Sequence, residues 1–171
     1  DAICIFTQLR RSGILIKAMP NTYSQLYIQI VFAVKGRQHF IRESFREELQ
    51  KYIGGIITKK NQKLFAIYCM PDHVHILVSI NPDCRISDLV RDIKANSSSF
   101  IKEKSNIREF HWQEGYGAFS YSKSQIDNVV NYILNQPLHH KTKTFREEYV
   151  DFLKRFEIDY KEEFLFEFYN D

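Results

Sequence analysis

The sequence predicts an α+β fold of the ferredoxin-like, split βαβ type, an antiparallel sheet with helices on one face. Three observations carry this. Apolar residues alternate with polar ones near residue 26, at 63–70 and at 72–80, the period of half-buried strands. They recur instead at helical spacing over 42–59 and again beyond residue 87. The resulting order of strand, helix, strand, strand, helix, strand is that of folds in which strands one and three lie side by side at the centre of the sheet.

The elements follow in turn. In the first strand Leu26, Ile28, Ile30, Phe32 and Val34 alternate with Gln25, Tyr27 and Gln29. Phe45, Leu49, Tyr52, Ile53, Ile56 and Ile57 then form the apolar side of a helix at 42–59. Two strands, 63–70 and 72–80, are separated by Pro71, and Ser87-Asp88 opens a helix with Leu89, Val90, Ile93 and Phe100 on one side. A fourth strand is expected at roughly 111–121, ahead of a helix at 124–136. That helix has Ser124 and Asp127 at capping-box spacing, a stripe of Ile126, Val129, Val130 and Ile133, and Pro137 as its stop. Two further elements are expected near 144–158 and 162–168.

At 171 residues and 44% hydrophobic content, the chain has material for one packed domain, taken as 19–171, and no stretch approaches a membrane span. Residues 1–18 read as an upstream extension, poorly ordered. Asp1 is no initiator, Arg10-Arg11 interrupt any apolar run, and Met19-Pro20-Asn21 directly precedes the first patterned strand. Cys4, Cys69 and Cys84 lack C-x-x-C spacing and suit reduced thiols in a cytoplasm. Charge is divided. Residues 145–171 hold four Lys/Arg against nine Asp/Glu, whereas 19–144 hold seventeen against eleven. A basic body suits a polyanion such as nucleic acid, and the acidic tail reads as an amphipathic helix with a solvated face.

Two constellations carry chemistry. In the third strand His73 and His75 flank Val74, so both imidazoles point one way while Val74, Ile76, Val78 and Ile80 point into the core. With helices on one face only, Gln25, Tyr27, Gln29, His73 and His75 share an open, accessible platform, and two neutral imidazoles a few Å apart make half of a metal site. On the later helix, Tyr132 falls with Gln125, Asn128 and Gln136 away from the centre of the apolar stripe. Tyr132 and Gln136 are i,i+4 neighbours.

The stretch from about Met19 to Phe156 resembles the single-tyrosine HUH transposases of the insertion-sequence 200/605 type. The resemblance lies in His73-Val74-His75, in Tyr132-x-x-x-Gln136, in the helix from Ile86 to Lys94 running into Ser97-Ser98-Ser99, and in the segment from Trp112 to Ser120. It implies that Tyr132 is a nucleophile and that His73, His75 and Gln136 bind a divalent cation. It also implies single-stranded DNA with hairpin-bearing element ends as substrate, and a homodimer in which the tyrosine helix completes the metal site either of its own subunit or of the other.

The chemistry is coherent on its own terms. A phenol of pKa about 10 is a poor nucleophile at neutral pH, so a cation must offset charge on the scissile phosphate. A mixed imidazole and amide set points to Mg²⁺ or Mn²⁺. DNA contacts are expected from Arg91, Lys94, Ser97, Ser98, Ser99 and Lys102 on the second helix, and from His139, His140, Lys141 and Lys143 after the tyrosine helix. Trp112, Tyr116 and Phe119 are candidate base-stacking aromatics.

A histidine-triad hydrolase would need a third histidine at Leu77. An HUH replication initiator or relaxase would share the site but usually carries more domains. A non-catalytic, domesticated single-strand-binding module is the remaining alternative.

Overall fold

The computed structural model describes residues 23–166, so the extension expected at 1–18, and the end of the last expected element, lie outside the described residues. The strands are β1 (Leu26–Ala33), β2 (Lys63–Cys69), β3 (His73–Ile80) and β4 (Gly117–Tyr121), in the order β2-β3-β1-β4 with every pairing antiparallel. Helices α1 (Glu43–Lys59) and α2 (Ile86–Ser105) follow β1 and β3. Beyond β4 come α3 (Ile126–Leu134), a single turn α4 (Gln136–His139) and α5 (Phe145–Arg155). Strands one and three are central, as the element order predicts.

One face is built as expected. Ile30, Phe32, Val74, Ile76 and Val78 meet Phe45, Leu49, Ile53 and Ile57 of α1 and Leu89, Val90, Ile93 and Ile101 of α2 in one core. β4 is shorter than expected because Gly115, at φ 75°, takes a left-handed conformation that ends the extended run before it. Trp112 touches the sheet edge through an isolated bridge to Val34 and packs edge-on against Phe32 and Phe110. The capping box also lies two residues earlier than expected, between Ser122 and Gln125, because the chain turns as soon as β4 ends and enters α3 through a 3₁₀ turn.

The opposite face is not open. Tyr27, Ala66 and Leu77 are covered by Ile126, Val129 and Ile133 of α3, and Val31, Ala33 and Phe119 by Phe145, Tyr149, Phe152 and Leu153 of α5. A face carrying Tyr27, Val31, Ala33, Leu77 and Phe119 exposes too much apolar surface to stay bare. The two terminal helices therefore close over it, and His73 and His75 end 1% and 0% exposed rather than on a solvated platform. Cys69 and Cys84 are free thiols. Among the described residues no helix is long and apolar enough to cross a membrane.

Gly117 measures how tightly α5 presses on the sheet. A Cβ there would stand 2.9 Å from ring carbons of both Phe119 and Tyr149. Gly117→Ala should therefore destabilise the protein by about 1–3 kcal/mol in urea denaturation. An unchanged midpoint would mean that α5 does not seat against β4.

Candidate functional site

The site lies between the sheet and α5 and is assembled from four pieces of chain, one of them α3, which carries Tyr132. β3 gives His73 and His75, which share a face through strand alternation, with ring centroids 5.1 Å apart. The residues after α3 give Gln136, His139 and His140, and α5 gives Glu148. α5 forms because Thr144 caps it in a capping box with Glu147, acids occupy its first turn, and Lys154 and Arg155 occupy its last. Its buried stripe is Phe145, Glu148, Tyr149, Phe152 and Leu153. Glu148 is thus a carboxylate set into an apolar stripe and 2% exposed.

Glu148 joins the groups. Its Oε1 accepts a short hydrogen bond from the Tyr132 hydroxyl and another, at 2.8 Å, from Gln136 Nε2. Its Oε2 lies 3.2 Å from His75 Nε2 and 3.3 Å from His140 Nε2. The far side of each imidazole is occupied. His73 Nδ1 meets Asp72 Oδ1 at 2.8 Å, His75 Nδ1 meets Gln29 Nε2 at 3.0 Å, and His140 Nδ1 meets the Lys143 carbonyl at 2.8 Å. Gln29 is held in turn by the Tyr121 hydroxyl, which donates to its Oε1 at 2.9 Å.

Five inward-facing atoms have no hydrogen-bond partner, namely Nε2 of His73, His75 and His140, Oε1 of Gln136 and Oε2 of Glu148. The ligand atoms of His73, His75, His140 and Glu148 lie within 4.8 Å of one another. Buried polar atoms are nearly always satisfied, so a group of unpartnered lone-pair donors around one point fits a cation.

Burial first, and the Glu148 charge second, push the Tyr132 phenol far above its ordinary value, so it stays protonated as a donor. Burial alone would raise the Glu148 carboxyl, but the surrounding imidazoles, His75 foremost, hold it well below the usual carboxylate range. Burial lowers His73, keeping it neutral and able to ligate. For His140 burial acts downward, but the Glu148 carboxylate beside it carries the net shift upward.

His73, His75, Tyr132 and Gln136, singled out in the sequence, all come together, within one chain. His140, expected on a DNA-binding surface, is instead part of the cluster, and the acidic tail expected to be merely solvated contributes Glu148. The sequence did hold a signal for Glu148, since it lies three residues after Phe145 and four before Phe152 on the buried stripe. His139 lies with its Nε2 3.3 Å from the Tyr132 oxygen. A cleft of about 360 Å³ lined by Gln125, Asn128, Lys143 and Arg155 reaches Tyr132 and Glu148 from solvent.

The α2 candidates lie on the other face of the sheet. Ser97 is fully buried, donating to the Ile93 carbonyl and accepting from Trp112 Nε1, so it is committed to the core rather than free for phosphate. Lys94 is half-buried, donates to the Gln113 and Gly115 carbonyls, and burial lowers it to about 8. Arg91 is exposed and paired with Asp88 and Asp92, while Ser98 and Lys102 are partly exposed and Ser99 and Lys141 exposed. Trp112 and Phe119 are core aromatics, and Tyr116 packs partly buried against the core.

Residues 22–136 match the family model described as "Transposase IS200 like". The chain is 30% identical over 131 residues to the transposase for insertion sequence element IS200 of Salmonella typhimurium, covering 70% of this chain and 82% of that one. It is 25% identical over 122 residues to the ISDra2 transposase TnpA of Deinococcus radiodurans, covering 66% and 84%. In fold it is similar to the REP-associated tyrosine transposase solved with a REP hairpin, at a TM-score of 0.53 and 16% identity, over 72% of this chain and 73% of that one. A second solved chain, a candidate transposase from Deinococcus radiodurans R1, aligns at a TM-score of 0.56 and 22% identity, over 70% and 96%.

Removing the carboxylate should leave the Tyr132 hydroxyl, the Gln136 amide and two imidazoles facing an empty centre. In chelator, Glu148→Ala should cost about 3–5 kcal/mol in urea denaturation, and Tyr132→Phe only about 1 kcal/mol. The pH dependence follows from the depressed carboxyl. Its contribution is present above the unfolded value of 4.5 and lost as pH falls through the folded one. Wild-type stability should therefore drop with acid more steeply than that of Glu148→Gln, and parallel curves would show that Glu148 is not held ionised.

Proposed function

The chain belongs to the IS200-like transposases, and we propose that it cuts and rejoins single-stranded DNA by covalent exchange at Tyr132. One observation carries the reading: the Tyr132 hydroxyl is tied through a single carboxylate to the histidine cluster of the same chain.

The cleft at Gln125, Asn128, Lys143 and Arg155 would admit a strand, with Arg155 drawing the backbone in beside a Lys143 that is paired with Asp151. Glu148 Oε1, already accepting the Tyr132 O–H, orients the phenol, whose proton passes to solvent through the cleft as the oxygen attacks phosphorus. The P–O3′ bond breaks, and the 3′-oxygen leaves as a hydroxyl, taking its proton from solvent on the side of phosphorus away from Tyr132. The products are a 5′-phosphotyrosine and a free 3′-OH. One phosphodiester has replaced another, so a 3′-OH from another strand can reverse the step without ATP. His73, His75 and Gln136 would hold a divalent cation, Mg²⁺ or Mn²⁺, which when bound supplies neutralisation of charge developing on the phosphate.

The REP hairpin in the structural neighbour supports hairpin-bearing ends as the DNA recognised. Arg91, Ser98, Lys102 and Lys141 are then grips on DNA away from the scissile bond. A homodimer would pair two such ends without sharing ligands, since one chain gathers Tyr132 and its partners. The free thiols of Cys69 and Cys84 fit work in the cytoplasm.

Labelled single-stranded oligonucleotides tiled across the DNA flanking its own gene, with Mn²⁺, should give a covalent adduct on a denaturing gel. The adduct should vanish in Tyr132→Phe or with chelator. Binding at every tile without an adduct would replace the enzyme with a non-catalytic binding module, while nicking with no strand joining would favour an initiator-type nickase. Mixing His73→Ala with Tyr132→Phe under verified subunit exchange should restore no cleavage, and recovery would show that sites are built between subunits.

A further inference from the structure

We infer that the segment beyond Gln136 supplies two more ligands, His140 and Glu148, beside His73, His75 and Gln136, making this a borderline transition-metal site of three imidazoles, a carboxylate and an amide that prefers Zn²⁺, Co²⁺ or Mn²⁺ over Mg²⁺. The inference rests on the proposed reaction only in placing the ion at the same histidines.

Four observations lead there. The ligand atoms of His73, His75, His140 and Glu148 converge within 4.8 Å. All four lack hydrogen-bond partners on that side, although each residue is buried or nearly so. The opposite nitrogens of His73 and His140 meet acceptors, Asp72 Oδ1 and the Lys143 carbonyl, the outer arrangement that orients metal-bound histidines, while that of His75 meets Gln29 Nε2. Finally, His140 and Glu148 lie in the C-terminal part of this chain, beyond the stretch 22–136 that matches the family model.

Donor chemistry decides the class of ion. Mg²⁺ favours oxygen and keeps several waters, which a pocket lined by three imidazoles does not offer. Imidazole with one carboxylate suits Zn²⁺ and its first-row neighbours. Glu148 has an oxygen for each task, Oε1 toward Tyr132 and Oε2 toward the ion. An ion held this way would also tether α5 to β3, because one ligand lies on each.

The test uses the full chain, stripped with chelator and free of DNA. Co²⁺ titration should produce visible ligand-field bands that Zn²⁺ abolishes by competition, and Zn²⁺ should raise the melting temperature where equal Mg²⁺ does not. His140→Ala and Glu148→Gln should each weaken Co²⁺ binding on the order of tenfold or more and alter the bands. Lys154→Ala, on the exposed side of α5, should not. Should either variant fail to fold by circular dichroism, wild type still decides the matter, since Zn²⁺ but not Mg²⁺ should slow amide exchange across 145–155. Unchanged affinity and spectrum in His140→Ala, equal stabilisation by Mg²⁺, or α5 exchange indifferent to Zn²⁺ would each overturn the inference. The adduct assay is separate. An adduct with these outcomes negative removes only the extra ligands, and these outcomes positive without any adduct remove only the reaction.

Discussion

A single buried carboxylate is the constraint on which the rest of the structure depends. An ionised group taken out of water is tolerated only where every neighbour answers it. Glu148 has the Tyr132 hydroxyl and Gln136 amide on one oxygen and the imidazoles of His75 and His140 beside the other. For these groups to meet, α5 must lie flat on the sheet. That in turn needs the Thr144 cap, the small residue Gly117 beneath Tyr149, and the stacking of Phe145 on His73 at 4.1 Å. The apolar packing of the second face thus serves to bring a charge to a fixed point.

The outer hydrogen bonds set what the imidazoles can do. Asp72 holds a proton on His73 Nδ1, and the Lys143 carbonyl does so on His140 Nδ1, leaving both Nε2 lone pairs inward. His75 differs. With Gln29 presenting its amide nitrogen to Nδ1, the His75 proton must sit on Nε2, facing Glu148. Turning the Gln29 amide over would reverse that tautomer and free Nε2 for a cation, and the Tyr121 hydroxyl can serve either orientation because it both donates and accepts. The orientation of one buried amide therefore decides whether His75 faces Glu148 with a proton or with a lone pair.

The sheet order, the first two helices and the shared side of His73 and His75 were legible because they follow from periodicity alone. Period two fixes which residues share a face, and proline and turn residues fix the ends. What covered the second face was not legible in the same way. Histidines and glutamines there read as solvent-facing, and only Tyr27, Val31, Ala33, Leu77 and Phe119 taken together show that a cover is needed. Glu148 reads as part of a solvated helix face and His140 as a DNA contact because the β3 histidines they meet are far away in sequence, which no local pattern reports. Ser97 misled for the opposite reason. A hydroxyl in a run of three serines looks exposed, yet it is placed where the Trp112 indole needs an acceptor.

The break after α3 explains how so short a segment can furnish so much of the site. Had the helix run on, residue 140 would stand about 12 Å along the axis from residue 132, beyond reach of any group that Tyr132 touches. Pro137 has no amide hydrogen to continue the ladder, α3 ends at Leu134, and a single turn of helix restarts at Gln136. The chain folds back, so His139 approaches the Tyr132 oxygen and His140 approaches Glu148, while Thr144 starts α5 at once. Tyrosine, amide, imidazole and carboxylate then come from seventeen consecutive residues, 132–148. Only the two β3 histidines must be brought from elsewhere, and the strand that carries them lies next to the centre of the sheet, where its position is most firmly fixed.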